Sequence, residues 1–167
     1  QIGILHKAEL FEMPDETKVE SFVGIILDNH PTNGWWKENF DVSGGGTPPD
    51  CYSLDGCQPH LGSSEPQADN CLLCPRNQWG TELRKDGSPG RGKACKNMRR
   101  LHILIPESAL PHRLTLSPAN LRPFNDFVTQ SVRGKRLKLI GILVHFQLFS
   151  QTNQDGIEYS EIAFSVV

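Results

Sequence analysis

Five cysteines stand at positions 51, 57, 71, 74 and 95, and the 72 residues that follow contain none. They fall in a stretch, residues 31–97, where the apolar pattern collapses into turn chemistry: Gly44-Gly45-Gly46-Thr47-Pro48-Pro49, Gly62-Ser63-Ser64-Glu65-Pro66 and Asp86-Gly87-Ser88-Pro89-Gly90. A structureless loop of that length does not persist inside a compact fold. Something other than an apolar core must order it. The cysteine count is odd, no charged-then-apolar leader opens the chain, and no N-x-Ser/Thr acceptor occurs. These features argue against secretion and a disulfide framework, so the clustered thiols read as metal ligands. Gln1 in place of Met suggests a processed or trimmed chain.

The flanks are regular. Phe22-Val23-Gly24-Ile25-Ile26-Leu27 reads as a strand, with Ile2-Gly3-Ile4-Leu5 a further strand or arm. After Lys96, alternation predicts a strand at Leu101, Ile103 and Ile105, and a short one over 112–116. Leu121, Phe124, Phe127, Val128 and Ser131 fall at helical spacing, with Pro123 expected in the first helical position and Gly134 as the stop. Alternation from Ile140 to Leu148 and again from Ile162 to Val166 predicts two more strands, joined by a turn at Asn153-Gln154-Asp155-Gly156. Five strands with one helix between the third and fourth form the order of an OB-fold barrel. The expected fold is therefore mainly β, a single domain over 1–167, with a large metal-binding insertion over 31–97 between strands one and two. In such a barrel that connection and the last hairpin flank a surface that grips single-stranded nucleic acid.

Within the insertion, Cys71-Leu72-Leu73-Cys74 is a C-x-x-C knuckle, with Cys51 20 residues before Cys71 and Cys95 21 residues after Cys74. Two ligands on a tight turn and two from distant loops suit a tetrahedral all-cysteine zinc site. Four thiolates leave no position for a catalytic water, so such a zinc is structural. Cys57 and His60 stay open as alternative ligands, since Cys57-x-x-His60 could partner the knuckle. A redox pair would need a βαβ context that is missing. Two other motifs fail on inspection. Gly87 to Lys93 matches a phosphate loop, but Ala94 stands where a magnesium-binding hydroxyl is required. The zinc deaminase signature needs a His-x-Glu, and none is present.

Charge is distributed unevenly. Residues 1–75 carry 3 Lys/Arg against 12 Asp/Glu, residues 76–100 carry 8 against 2, and the remainder 6 against 5. A basic block of this kind creates a local potential suited to a polyanion. All three tryptophans lie in the same polar insertion, near Phe40 and Tyr52. Stacking rings beside backbone-tracking cations are the recurring means of holding unpaired bases. The candidate contact residues are Trp35, Trp36, Lys37, Tyr52, Arg76, Trp79, Arg91, Lys93, Lys96, Arg99 and Arg100. Of the tryptophans, Trp35-Trp36 ahead of Lys37 is the expected stacking pair, and Trp79 is the ring expected to be structural. Arg84 and Lys85 belong to the same basic block.

Cys71-Leu72-Leu73-Cys74-Pro75-Arg76-Asn77-Gln78-Trp79-Gly80, then Gly92-Lys93-Ala94-Cys95-Lys96 and Arg99-Arg100-Leu101, resembles a family of bacteriophage-encoded proteins with a C-x-x-C-P-x-N-x-W-G…G-K-A-C-x-x-x-R-R-L pattern. The Cys51-Tyr52-Ser53-Leu54-Asp55-Gly56 turn and the Leu116-Ser117-Pro118-Ala119-Asn120-Leu121-Arg122-Pro123-Phe124 segment are similar too, so the resemblance covers about residues 51–128. It implies phage replication and single-stranded DNA binding. Its cysteines match 51, 71, 74 and 95, and Cys57 lies outside the pattern.

The combined expectation is a zinc-containing OB-fold protein that binds single-stranded DNA with little sequence preference, in phage or mobile-element replication or recombination. Binding rather than catalysis is the expected role, in the cytoplasm of a bacterial host, with replication proteins as further partners and no membrane association. The rival is a zinc-stabilised adaptor that docks replication or host proteins. A nuclease is the third class, but Asp28, Asp41 and Asp50 match no paired-metal spacing.

Overall fold

Alternating apolar residues build the first of two units into which the chain divides, residues 1–29 with 100–167; the second comprises residues 30–99. The computed structural model describes residues 1–5, 8–38, 47–84, 86–106, 108–152, 156 and 158–167. Phe40, Asp41, Gly44 to Gly46, Lys85 and the turn residues Asn153 to Asp155 lie outside them. The structure is mainly β, with nine strands among the described residues: β1 (Gly3–Leu5), β2 (Leu10–Glu12), β3 (Lys18–Val19), β4 (Ser21–Trp35), β5 (Cys51–Ser53), β6 (Lys96–Leu104), β7 (His112–Leu116), β8 (Val144–Thr152) and β9 (Glu158–Val166). The single α-helix, α1 (Pro118–Asp126), lies between β7 and β8 and continues into a π-helical segment, Phe127–Arg133.

The main sheet runs β7-β6-β4-β8-β9, and β1-β2-β3 form a separate antiparallel sheet. β4 pairs antiparallel with β8, and β8 forms a long hairpin with β9. The sheets are open. Among the described residues no ladder joins β7 to β9, and β7 instead takes the N-terminal segment through a parallel bridge of Ile2 with Leu114. The five expected strands correspond to β4, β6, β7, β8 and β9, and β1 falls where a further strand or arm is expected at Ile2 to Leu5, while β2, β3 and β5 are not anticipated.

The first unit has a hydrocarbon core. Phe22 stacks on Phe146 at 4.6 Å, Phe11 meets Phe22 edge-on at 4.9 Å, and Phe164 packs against Phe146 and Phe124. Leu101, Ile103, Leu114, Leu116, Val144 and Ile162 are fully buried around them. Burying each such side chain contributes about 1.5–3 kcal/mol. Asn120 is buried too, and it docks the helix on β9: its Nδ2 donates to the Ser160 carbonyl and its Oδ1 accepts from the Ile162 amide at 2.7 Å.

Two boundaries differ from expectation. The helix starts at Pro118, with Ser117 before it, so Pro118 and not Pro123 occupies the first position; Pro123 lies inside the helix. The strand expected from Ile140 begins only at Val144, because Leu139–Gly141 form a 3-10 turn that leaves Ile140 exposed. Apolar alternation is shared by strands and by turns that leave an apolar side chain in solvent, and here the turn prevailed.

Within the first unit Gly24 of β4 is closely packed: an added Cβ would come within 2.5 Å of Ile103 Cγ2 and 3.2 Å of the Leu104 carbonyl. Overpacking of this kind typically costs about 1–3 kcal/mol. Gly24→Val is therefore expected to lower Tm by roughly 2–12 °C in a melt followed by circular dichroism.

Candidate metal centre and nucleic-acid interface

The second unit is held together differently. Its buried side chains among the described residues are Thr32, Asn33, Trp35, Ser53, Cys71, Cys74, Asn77 and Cys95, so a single large ring stands among thiols and polar groups. Local chemistry shapes the knuckle. Asn70 Oδ1 accepts from the Leu72 and Leu73 amides, turning the chain between Cys71 and Cys74. Pro75 then opens a 3-10 turn, Pro75–Asn77, whose last amide donates back to the Cys74 carbonyl. Gln78 Nε2 donates to the Leu72 and Cys74 carbonyls and closes the turn from outside. Cys51 is carried by β5, opposite Trp35 of β4. The Cys95 amide donates to the Arg76 carbonyl at 2.8 Å, which brings the fourth thiol to the same place.

Cys51, Cys71, Cys74 and Cys95 line one small cavity of about 10 Å³, with Trp35, Asn33 and Ser53 in its wall. All are free thiols. Burial pushes the Cys95 thiol up to about 12, and the neighbouring Cys74, Cys71 and Cys51 add to the rise against the opposing Lys93 charge. Burial also raises Cys71, against hydrogen bonds from Ser53 and Asn33. Burial and mutual repulsion disfavour the thiolate forms here, a cation among the sulfurs would favour them, and four cysteines are a donor set that suits zinc. Among the described residues no three of these sulfurs lie within 4.8 Å of one another. A tetrahedral zinc with bonds of about 2.3 Å would require them to draw in.

The alternative ligands point elsewhere. Cys57 is exposed and outside the cavity wall; it supports the knuckle through its carbonyl, which accepts from the Cys71 amide at 2.8 Å. His60 Nδ1 receives the Tyr52 hydroxyl at 2.7 Å and the Gly62 amide at 3.0 Å, so that nitrogen's lone pair is engaged.

A polar network without an obvious sequence signal surrounds the cavity. Asn77 Nδ2 donates to the Cys71 carbonyl at 2.6 Å, and Asn97 Nδ2 donates to both Asn33 Oδ1 and Asn77 Oδ1. Lys93 Nζ donates to Asn77 Oδ1 and Asn97 Oδ1. Asn77 is part of the C-P-x-N motif; Asn33 and Asn97 reach it from distant strands.

The burial of the tryptophans differs from expectation. Trp35 is only 7% exposed, and the Arg76 guanidinium covers its ring at 5.3 Å, so its faces are taken by packing. Trp36 is half-buried and donates its Nε1 to the Thr47 carbonyl. Trp79 is 78% exposed, with Lys93 Nζ 5.2 Å from its ring centroid. The pattern of small polar neighbours that suggested a packed Trp79 instead describes a loop tip.

Several of the candidate cations are already engaged. Lys37 pairs with Glu65, which raises its pKa, and its backbone amide donates to Asp50. Lys96 pairs with Glu82, and Arg76 Nε donates to Gln67. Tyr52 stacks on His60 at 4.9 Å. Arg91 is exposed with no side-chain partner among the described residues. Arg99 and Arg100 are half-buried, and burial with the nearby Arg113 lowers the pKa of Arg100. Gly87 to Lys93 belongs to a hairpin-like arm bridged at Leu83 and Pro89, a setting unlike a phosphate loop. Neither a family model, nor a curated protein, nor a solved structure matches the chain.

Asn77→Ala removes the bond to Cys71 and strips one partner each from Lys93 and Asn97. Leaving buried polar groups unmatched costs about 1–3 kcal/mol, so a urea unfolding curve is expected to show a loss of that size.

Proposed function

We propose that this chain binds single-stranded DNA, in phage or mobile-element replication or recombination within a bacterial cytoplasm, and that it works by binding and not by catalysis. The observation that carries the reading is Trp79, a large ring offered to solvent with a lysine ammonium beside it and Arg91 on the same arm. An exposed indole is costly in water and well suited to stacking on an unpaired base, which contributes about 1–3 kcal/mol per base whatever its identity. Phosphate neutralisation by the surrounding cations adds a salt-dependent term.

In this reading Cys51, Cys71, Cys74 and Cys95 hold one structural zinc, whose binding energy orders a unit poor in hydrocarbon. The first unit is read as an OB-fold-like barrel left open: β4, β6, β7, β8 and β9 take the five positions, and the helix falls between the third and fourth. The resemblance to phage proteins points the same way.

A second reading draws on Leu72 and Leu73, 71% and 80% exposed at the knuckle tip. Apolar side chains in that position suit a protein partner, as in a zinc-stabilised adaptor. Titration with unlabelled oligo(dT) separates the two, since DNA binding quenches Trp79 fluorescence and an adaptor leaves it unchanged.

Two outcomes are expected. Trp79→Ala weakens oligo(dT) binding by about 5- to 150-fold with Tm unaltered, whereas Trp35→Ala lowers Tm because it opens the cavity wall. Elemental mass spectrometry of the purified chain gives one zinc per molecule, lost in Cys71→Ser and retained in Cys57→Ser.

A further inference from the structure

The end of the helical segment in the first unit carries three unusual features at one place. The first is the π-helical stretch Phe127–Arg133; such helices are rare beyond a single turn and are frequent at functional sites. The second is the backbone after it. The Gly134 amide donates to Thr129, the Leu137 amide to Val132 and the Arg136 amide to Arg133, which ties residues 133–137 into a defined turn. A Cβ on Gly134 would meet the Gln130 carbonyl at 2.5 Å, so the turn is packed down onto the helix. Arg136 sits at φ +57°, a left-handed conformation that costs a side-chain-bearing residue about 1–2 kcal/mol and that glycine or asparagine would adopt more readily.

The third feature is charge. Arg133, Lys135, Arg136 and Lys138 fall within six residues without an intervening acid, all exposed. Among the described residues none of the four has a side-chain hydrogen bond or ion pair. Ile140, 61% exposed, follows immediately. A cation in the last helical turn is accounted for by the helix dipole, which explains Arg133. The dipole acts only within that last turn and leaves Lys135, Arg136 and Lys138 without a structural role. Arg136 shares this conformation with Glu9 and Glu16, and of the three it alone stands in a run of cations.

We propose that the turn at residues 133–138 is a second nucleic-acid contact, in which Lys135, Arg136 and Lys138 neutralise phosphodiester groups of the bound strand. The ligand class follows from the chemistry: several exposed cations on one backbone-tied turn suit a repeating anion. The inference rests on the single-strand-binding reading above and extends it to a surface the cysteine-bearing unit does not contain.

The test compares oligo(dT) binding, by fluorescence anisotropy of a labelled 30-mer across a salt series, for the wild-type chain and for Lys135→Gln/Arg136→Gly/Lys138→Gln. The glycine preserves the left-handed backbone, and Arg133 is kept for the helix end. A contact surface predicts that the plot of log affinity against log salt becomes shallower by about 2, at about 0.7 per phosphate lost, with at least about tenfold weaker binding near 0.1 M salt. A matched control, Lys18→Gln/Arg113→Gln/Arg122→Gln, removes three other exposed charges and is expected to keep the wild-type slope. If the triple variant keeps wild-type affinity and slope, the turn is not a contact and the proposal falls, while the binding function stands. Equal changes in the control and the triple variant also overturn it, because net charge then suffices. If the wild-type chain binds no oligonucleotide, the functional reading fails and this inference with it.

Discussion

A unit with little hydrocarbon to bury must find its cohesion elsewhere, and that constraint shapes the second unit. Its interior is four cysteines around a small cavity, one tryptophan in the wall, and a set of buried asparagine, serine and threonine side chains. The first unit, by contrast, is closed by a stack of phenylalanines and branched aliphatics. Hydrophobic burial scales with apolar area removed from water, and the cysteine-bearing unit has little to remove. Its cohesion must come from hydrogen bonds, which are modest in net terms, and, on the proposed reading, from a cation held by the sulfurs.

The remaining features of that unit follow from the arrangement. Trp35 fills the wall beside Cys51, and Arg76 closes over it, so one ring and one cation are spent on packing. Asn77, Asn97 and Asn33 join the knuckle to β4 and β6 by side-chain hydrogen bonds, and Lys93 is anchored on two of them. A lysine held in this way is directed across the face of Trp79. The same network that braces the cavity thus presents a ring and a charge together.

Much of this was legible from residue order, and the failures have physical causes. Cysteine spacing identified the four residues that line the cavity, because the knuckle is local and Cys95 lies where the chain leaves the excursion. Alternation located β6, β8 and β9, since a half-buried strand must alternate, and a short apolar run rich in β-branched residues located β4. Composition cannot tell a buried tryptophan from an exposed one in a loop, so Trp35 is buried and Trp79 exposed, against expectation. The β4 pairing that buries Trp35 joins residues far apart in sequence, as do the contacts of Asn33 and Asn97. Short strands such as β1 to β3 lack enough residues for a period to emerge. The basic turn at 133–138 was hidden by counting charge over 67 residues, which averaged its four cations against distant acids.

Hydrogen exchange on the intact chain, before and after treatment with a zinc chelator under reducing conditions, tests the dependence on a bound cation most directly. If an ion holds the thiols together, chelation abolishes amide protection across residues 51–99 and leaves β8 and β9 protected. A chain that is metal-free as purified, and keeps its protection over residues 51–99 whether or not chelator is added, would contradict it.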